Sequence, residues 1–342
     1  MSIAIRSTSP RRRAGFACLA SLAALLSACG GGGGSDGGDP VLPSVATVTS
    51  SNYEGVARQS LVAATYLGDA TGLVTGAQVA PGPQVLFAFA RMQLGRLPGL
   101  LASRTRVVTG VTSTETLDCT GGGTVNVQTV DNNGNGNVDV GDAGTLTARN
   151  CVEDGTTISG TISLTFSAVG GDLNTDTYSA TVAVTLQDLR ASTQAGSAAG
   201  SGQFTLAITS TNATTSAMEL TVPSLSVAGT FGGVADTVTM QDFRLSTSTA
   251  LSGGRQRTST STSGTVGSNT LAGGTITLAT VQPLVQFEGD LYPSSGQITA
   301  TGAARSQVRM TVQTATTVLL ELDADGNGSF EASVVKPWSS LV

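Results

Sequence analysis

Tyr178-Ser-Ala-Thr-Val-Ala-Val-Thr-Leu186 places an apolar or aromatic side chain at every second position, with Ser, Thr or Ala between. A period of two puts one set of side chains on one face of an extended strand and the other set on the opposite face. The same alternation runs through Ile162, Leu164, Phe166 and Ala168, and through Phe204, Leu206 and Ile208. It returns at Met218-Leu220-Val222, Ile276-Leu278, Val308-Met310-Val312 and Val318-Leu320-Leu322. Each strand therefore has one apolar face, and the Gly, Asn, Asp and Ser clusters between them fall at hairpin spacing. The expected fold is mainly β, a large antiparallel meander over 103–342 that is barrel-like or a half-barrel, with a β-sandwich as the alternative.

Inside this pattern Val184-Thr-Leu-Gln-Asp-Leu-Arg-Ala-Ser-Thr193 and Val238-Thr-Met-Gln-Asp-Phe-Arg-Leu-Ser-Thr247 repeat one another. In both, the apolar phase slips after the aspartate, Asp188 or Asp242, as a bulge makes it slip. The pair reads as a duplicated structural corner.

Upstream the period is 3.6, over a helical segment spanning 45–102. Ser51-Asn-Tyr-Glu54 has the form of a capping box, and Val56, Ala57, Leu61, Ala64 and Leu67 share one face, predicting a helix from Asn52 to Leu67 that stops at Gly68. A second short helix is expected from Pro83, with Phe87, Ala90, Leu94 and Leu97 on its apolar side and Pro98 at its end. Arg91, Arg96, Arg104 and Arg106 have no acid between Asp69 and Glu115. They suit either solvated positions on a helix covering the sheet or contact with anionic headgroups.

The first residues carry an address. Arg6, Arg11, Arg12 and Arg13 precede an apolar run from Ala14 to Ala28, too short to span a bilayer, as in a secretory signal. Leu26-Ser27-Ala28-Cys29 reads as a lipobox, so residues 1–28 are expected to leave, with Cys18, and Cys29 to take a diacylglycerol. Residues 29–44, with five consecutive glycines at 30–34, form a tether whose flexible-coil reach is about 20 Å. The segment resembles bacterial lipoprotein signals, among which a Gly such as Gly30 after the lipidated cysteine implies delivery to the outer membrane.

Composition excludes several chemistries. The chain has 342 residues, a net charge of −6 and no histidine. The four arginines of the signal leave with no acid, so 13 bases face 23 acids in the mature chain, a net of −10. Nucleic acid is an unsuitable partner. Without histidine there is no His-based triad, imidazole base or His-ligated zinc, and Lys336 is the only lysine. Glu288 and Asp290 are the only acids at alternate strand positions on a plausible face, and they read as a solvated edge.

Two cysteines remain once Cys29 is acylated. Cys119 and Cys151 are expected to bond to each other in an oxidising envelope, stapling the base of a hairpin that contains Val125, Val127 and Leu146. At that hairpin's tip is Asp131-Asn-Asn-Gly-Asn-Gly-Asn-Val-Asp-Val-Gly-Asp142. Oxygen side chains occupy loop positions 1, 3, 5, 9 and 12, Gly136 allows the sharp turn at 6, and Val138 is the apolar residue at 8. This resembles a calcium loop of the EF-hand or dockerin kind, and implies Asp131, Asn133, Asn135, Asp139 and Asp142 as ligands with the Asn137 carbonyl. Asp323-Ala-Asp-Gly-Asn-Gly-Ser-Phe-Glu331 repeats the scheme, with Asp323, Asp325, Asn327 and Glu331 and the Ser329 carbonyl, though Val334 stands where the closing acid belongs. The expected cofactor is structural calcium.

The lipobox, the poly-Gly tether, the stapled Asp/Asn loop and the Asp-rich hairpin ending near Trp338 together resemble an uncharacterised group of Gram-negative (proteobacterial) lipoproteins. The resemblance implies no activity. The expected function is a non-enzymatic outer-membrane lipoprotein, attached to the membrane by its N-terminal lipid, which binds or scaffolds an envelope protein or carries a lipid or other apolar ligand. A surface adhesin or matrix component with structural calcium is the alternative, and a carboxylate hydrolase comes last.

Overall fold

The structure is a computed structural model, and it describes residues 44–70 and 111–341 apart from 154, 174, 195, 232–233 and 272–273. Cys29, the signal, the tether and the second helix expected from Pro83 lie outside the described residues. Helix α1 spans Tyr53–Ala70. Fourteen strands follow: β1 Val111–Asp118, β2 Thr124–Asp131, β3 Ala143–Glu153, β4 Thr156–Gly171, β5 Tyr178–Thr193, β6 Gly196–Asn212 and β7 Thr215–Phe231. After them come β8 Val234–Ser252, β9 Arg255–Gly267, β10 Thr275–Phe287, β11 Ser295–Thr301, β12 Gln307–Thr314, β13 Thr317–Asp323 and β14 Ala332–Pro337.

All fourteen belong to one antiparallel sheet whose spatial order is the chain order. The expected meander is present, and it is an open sheet: β1 and β14 are its edges, so it neither closes into a barrel nor splits into a sandwich. The period-2 reading places the core correctly. Val182, Val184 and Leu186 on β5, Phe204 and Leu206 on β6, and Leu220 and Val222 on β7 are all buried, while the Thr and Ser between them face out. Ala168 departs from its expected face. A register shift between Phe166 and Ala168 turns it outward and brings Val169 to the core instead.

The duplicated corner is a pair of bulges. Asp188 and Asp242 both adopt left-handed backbone, φ 48° and 47°, and the ladders slip at Leu186/Leu189 and Gln241/Arg244. Each bulge leans on a glycine of a neighbouring strand, Gly160 of β4 for Asp188 and Gly264 of β9 for Asp242. A Cβ on Gly160 would lie 2.5 Å from the Asp188 carbonyl oxygen, and one on Gly264 would lie 2.6 Å from that of Asp242. Asp tolerates left-handed backbone better than most residues because its side chain can bond locally, and the extra residue bends the strand and increases its twist. A third bulge of this kind, at Asn150 (φ 48°) in β3, has no counterpart in the repeated sequence.

Helix α1 starts differently from the capping-box expectation. Asn52 precedes its first residue, and its carbonyl accepts the Val56 N–H at 2.9 Å. The Asn52 side chain turns back instead of forward, accepting from Thr49 N–H and donating to the Thr47 carbonyl. Ser51 bonds the Thr49 hydroxyl, and Glu54 is drawn away by Lys336 at 2.8 Å. The helix continues through Gly68 to Ala70. Val56, Ala57 and Leu61 are buried as expected, and α1 lies against β8, β9 and β11–β13. A strap before it is hydrogen-bonded to the sheet through Ser44 and Ala46 on Thr275, Ala46 on Ala303, and Val48 N–H on the Ser306 hydroxyl.

Cys119 and Cys151 are bonded, with Cα atoms 5.4 Å apart. The bond ties the β1–β2 turn to β3 at the base of the β2–β3 hairpin, beside Gly121 and Gly122, which exchange backbone hydrogen bonds with Val152. Closing a span of 32 residues restrains the unfolded chain by about 3–4 kcal/mol in the chain-entropy account. Replacing both cysteines by serine is therefore expected to lower the free energy of unfolding by about 3 kcal/mol. Urea denaturation at neutral pH, with and without a reductant, checks this: wild type in reductant should coincide with the variant.

Candidate metal centres in two hairpin loops

Both Asp/Asn-rich stretches form tips of hairpins, β2–β3 and β13–β14. Because turns alternate along a meander, the two loops lie at opposite ends of the sheet.

They share one internal design. In the first loop Asp131 accepts the N–H groups of Gly134 and Gly136 at 2.6 and 2.8 Å, Asn133 that of Asn135 and Asn135 that of Asn137. In the second, Asp323 accepts those of Gly326, Asn327 and Gly328 at 2.8, 3.1 and 2.9 Å, Asp325 that of Asn327 and Asn327 that of Ser329. Loop positions 1, 3 and 5 thus use their side-chain oxygens in the same way in both. Position 2 is held by an acid from the far side of each loop, Asn132 N–H on Asp142 and Ala324 N–H on Glu331. Side-chain oxygens that bond the following backbone N–H groups fold a short chain back on itself and gather the remaining oxygens at its centre.

The apolar residue at position 8 fixes each loop to the body. Val138 packs against the core, and the Phe330 ring lies 4.0 Å under the Arg309 guanidinium, which is itself paired to Glu321 at 2.8 Å. The second loop also leans on the turn before β12: a Cβ on Gly326 would clash with the Ala304 carbonyl oxygen.

The loops differ in how their acids meet. Carboxylate oxygens of Asp323, Asp325 and Glu331 come within 4.8 Å of one another. Calcium–oxygen distances of about 2.3–2.6 Å allow two ligands of one ion to be about 5 Å apart, so this trio fits a single hard cation. Asp131, Asp139 and Asp142 are not drawn together to that degree. Asp139 instead accepts the amides of Asn133 and Asn135 at 2.8 and 2.6 Å, and Asp142 braces two N–H groups, of Asn132 and Asp139. Asn137 and Ser329 stand at position 7, where the backbone carbonyl is the donor. Both donor sets consist of oxygen alone, which suits calcium and not zinc.

The two buried acids titrate in opposite directions. Burial pushes Asp142 above the usual carboxylate range, with Asp131 and Asp139 adding repulsion against the hydrogen bonds from Asn132 and Asp139. Asp323 is equally closed to solvent. Its burial acts upward too, yet the donors Gln307, Gly328, Gly326 and Asn327 outweigh it and hold the carboxyl below the usual range.

Three acids outside the loops are held by hydrogen bonds or an ion pair. Asp236, the third buried acid among the described residues, accepts from the Ser268 hydroxyl and the N–H groups of Thr237 and Asn269. Asp290 is paired to Arg255 at 2.8 Å and Glu288 takes the Gln256 N–H, so neither acts as a free carboxylate in a cleft. The cluster of Cys119, Cys151 and Glu153 offers no thiolate, because the sulfurs are bonded to each other. Comparison of the chain with protein-family models, curated proteins and solved structures gave no match.

Proposed function

We propose that the chain is a non-enzymatic lipoprotein of the outer membrane, anchored through Cys29, whose open sheet carries an apolar ligand and whose two hairpin loops are calcium-held clamps. The observation that carries the reading is one continuous apolar face over the sheet. Buried apolar residues run from Val125 on β2 to Leu322 on β13, and the three buried acids of the described residues lie at its margins, Asp142 in a loop, Asp236 near the start of β8 and Asp323 at the end of β13, each held by hydrogen bonds. A carrier needs a large apolar surface and no nucleophile; a hydrolase needs the reverse.

Native mass spectrometry of the full chain, purified from membranes in mild detergent without chelator, tests it. The expected spectrum shows acylation at Cys29, an apolar adduct of lipid mass that survives desolvation, and one or two calcium ions. A spectrum of unacylated, unliganded protein from the same membranes would reject the reading.

A further inference from the structure

The strap at residues 44–49 is held to the sheet lightly and in two places. Of its side chains only Val48 is fully buried. At the start of β10, Ala46 N–H donates to the Thr275 carbonyl and Thr275 N–H to the Ser44 carbonyl, both at 2.9 Å. At the turn 302–306 between β11 and β12, Ala303 N–H donates to the Ala46 carbonyl at 2.8 Å and Val48 N–H to the Ser306 hydroxyl at 2.9 Å. The strap lies flush on that turn, since a Cβ on Gly302 would clash with the Ala46 carbonyl oxygen and meet Val48 Cγ2 at 3.1 Å. A segment with so few buried contacts belongs to the part of a structure that opens first.

The turn that holds it is strained. Ala304 and Arg305, two consecutive residues, are both left-handed, with φ 52° and 63°. The Asp and Asn residues at the bulges have short polar side chains that suit this backbone, and Ala and Arg do not, so the conformation has to be imposed by its surroundings. Within the turn, Gly302 N–H donates to the Ser306 carbonyl and the Ser306 hydroxyl to the Ala303 carbonyl, both at 2.7 Å. From the side away from the strap the second hairpin loop presses on it. A Cβ on Gly326 would clash with the Ala304 carbonyl oxygen and lie 2.9 Å from Arg305 Cβ, and Gln307, next after the turn, donates to Asp323 at 3.1 Å. Lys336, on the strand that leaves the same loop, pairs with Glu54 of α1 at 2.8 Å.

We propose that the second loop and the strap form a latch, coupled through the strained turn. With the loop seated, Ala304 and Arg305 are held left-handed, and Ala303 and Ser306 face the strap. With the loop displaced, the turn relaxes toward ordinary backbone and withdraws two of the strap's four hydrogen bonds. The strained turn is the two-state element that both sides bias. Release frees six residues, about 20 Å of extended chain, between the sheet and the Cys29 end of the protein. The latch therefore sets the reach of the body from its anchor, a control beyond the reading above, and it stands whether or not the loop holds calcium.

The test is hydrogen–deuterium exchange of the full chain in mild detergent, with a calcium chelator present, read on peptides covering the strap (44–50), the second loop (324–331) and β5 (178–186). Gly326→Ala should speed exchange of the strap about tenfold and leave β5 unchanged. Gly328→Ala is the control: it lies in the same loop at φ +90° with nothing within 4 Å, and should leave the strap at its wild-type rate. Because coupling is reciprocal, Val48→Ala in the strap should speed exchange of the second loop about tenfold. A strap unmoved by Gly326→Ala, or moved as much by Gly328→Ala, would overturn the latch. If Gly326→Ala speeds β5 equally, the whole chain has opened and Val48→Ala decides: an unchanged second loop overturns the latch, and a faster loop over an unchanged β5 supports it.

Discussion

Gly264→Ala is expected to destabilise the protein by about 3–5 kcal/mol. The added Cβ would meet Phe243 Cα at 2.5 Å and the Asp242 carbonyl oxygen at 2.6 Å, and φ at this position is +123°. Neither neighbour can yield. Both are backbone atoms of the bulge in β8, and Phe243 is fully buried. Relief requires separating β8 from β9 where the ladder changes register, which opens the core beside Leu245. Gly160→Ala should cost as much, because its Cβ would meet Asp188 and Leu189 in the same arrangement at φ +121°. Gly253→Ala is the control: φ is +59° and nothing lies within 4 Å, so only the left-handed backbone penalty of about 1–2 kcal/mol applies. Urea midpoints of the three variants would rank them. Equal midpoints would show that the bulges are not rigid corners.

Those bulges mark where the sequence could be read and where it could not. Alternation gave the strands and the inward side chains because one buried face imposes period two on every residue, as in Val182-Val184-Leu186. Chain-order pairing followed from short turns. The slip at Asp188 and Asp242 was visible because the repeat carries it twice, but Asn150 was not: its bulge keeps only an Asx residue followed by a buried one, with no matching neighbours. Ala168 failed for a related reason, since one unpaired residue after Phe166 inverts the faces beyond it. The helix start failed because Glu54 has a stronger partner in Lys336, 282 positions away, and local capping rules do not see it. For the loops, spacing indicated oxygen donors at the right intervals in both stretches. Which loop gathers its carboxylates was not legible, because the backbone decides whether an acid points to the centre or braces an N–H group, as Asp142 does.

Asp323→Asn is expected to lower the free energy of unfolding by about 2–4 kcal/mol even without metal. Four donors converge on this carboxylate: Gly326 and Asn327 on one oxygen, Gly328 and Gln307 on the other. An asparagine keeps one oxygen and turns an amide NH2 toward the remaining two donors, so two hydrogen bonds are lost and like groups face each other. The effect should depend on pH with a definite sign. The folded-state pKa of Asp323 is depressed, so its stabilisation is present above the usual value of 3.8 and is lost as pH falls through the depressed value. Asp142 has the opposite sign. Its raised pKa favours the protonated folded form, so its contribution is fully present below 3.8 and is lost as pH rises through the raised value. Acid titration of stability in chelator should therefore lose its low-pH fall in Asp323→Asn and keep it in Asp142→Asn. Calcium adds a separate arm. At ten to one hundred times an extracellular-type dissociation constant, one occupied site contributes about 1.4–2.7 kcal/mol, read as a rise in melting temperature. If the Asp323, Asp325 and Glu331 trio is that site, the rise should vanish in Asp323→Asn and survive in Asp131→Asn. An undiminished rise in Asp323→Asn would place the ion in the first loop, where Asp139 would have to exchange its two amide partners for a cation.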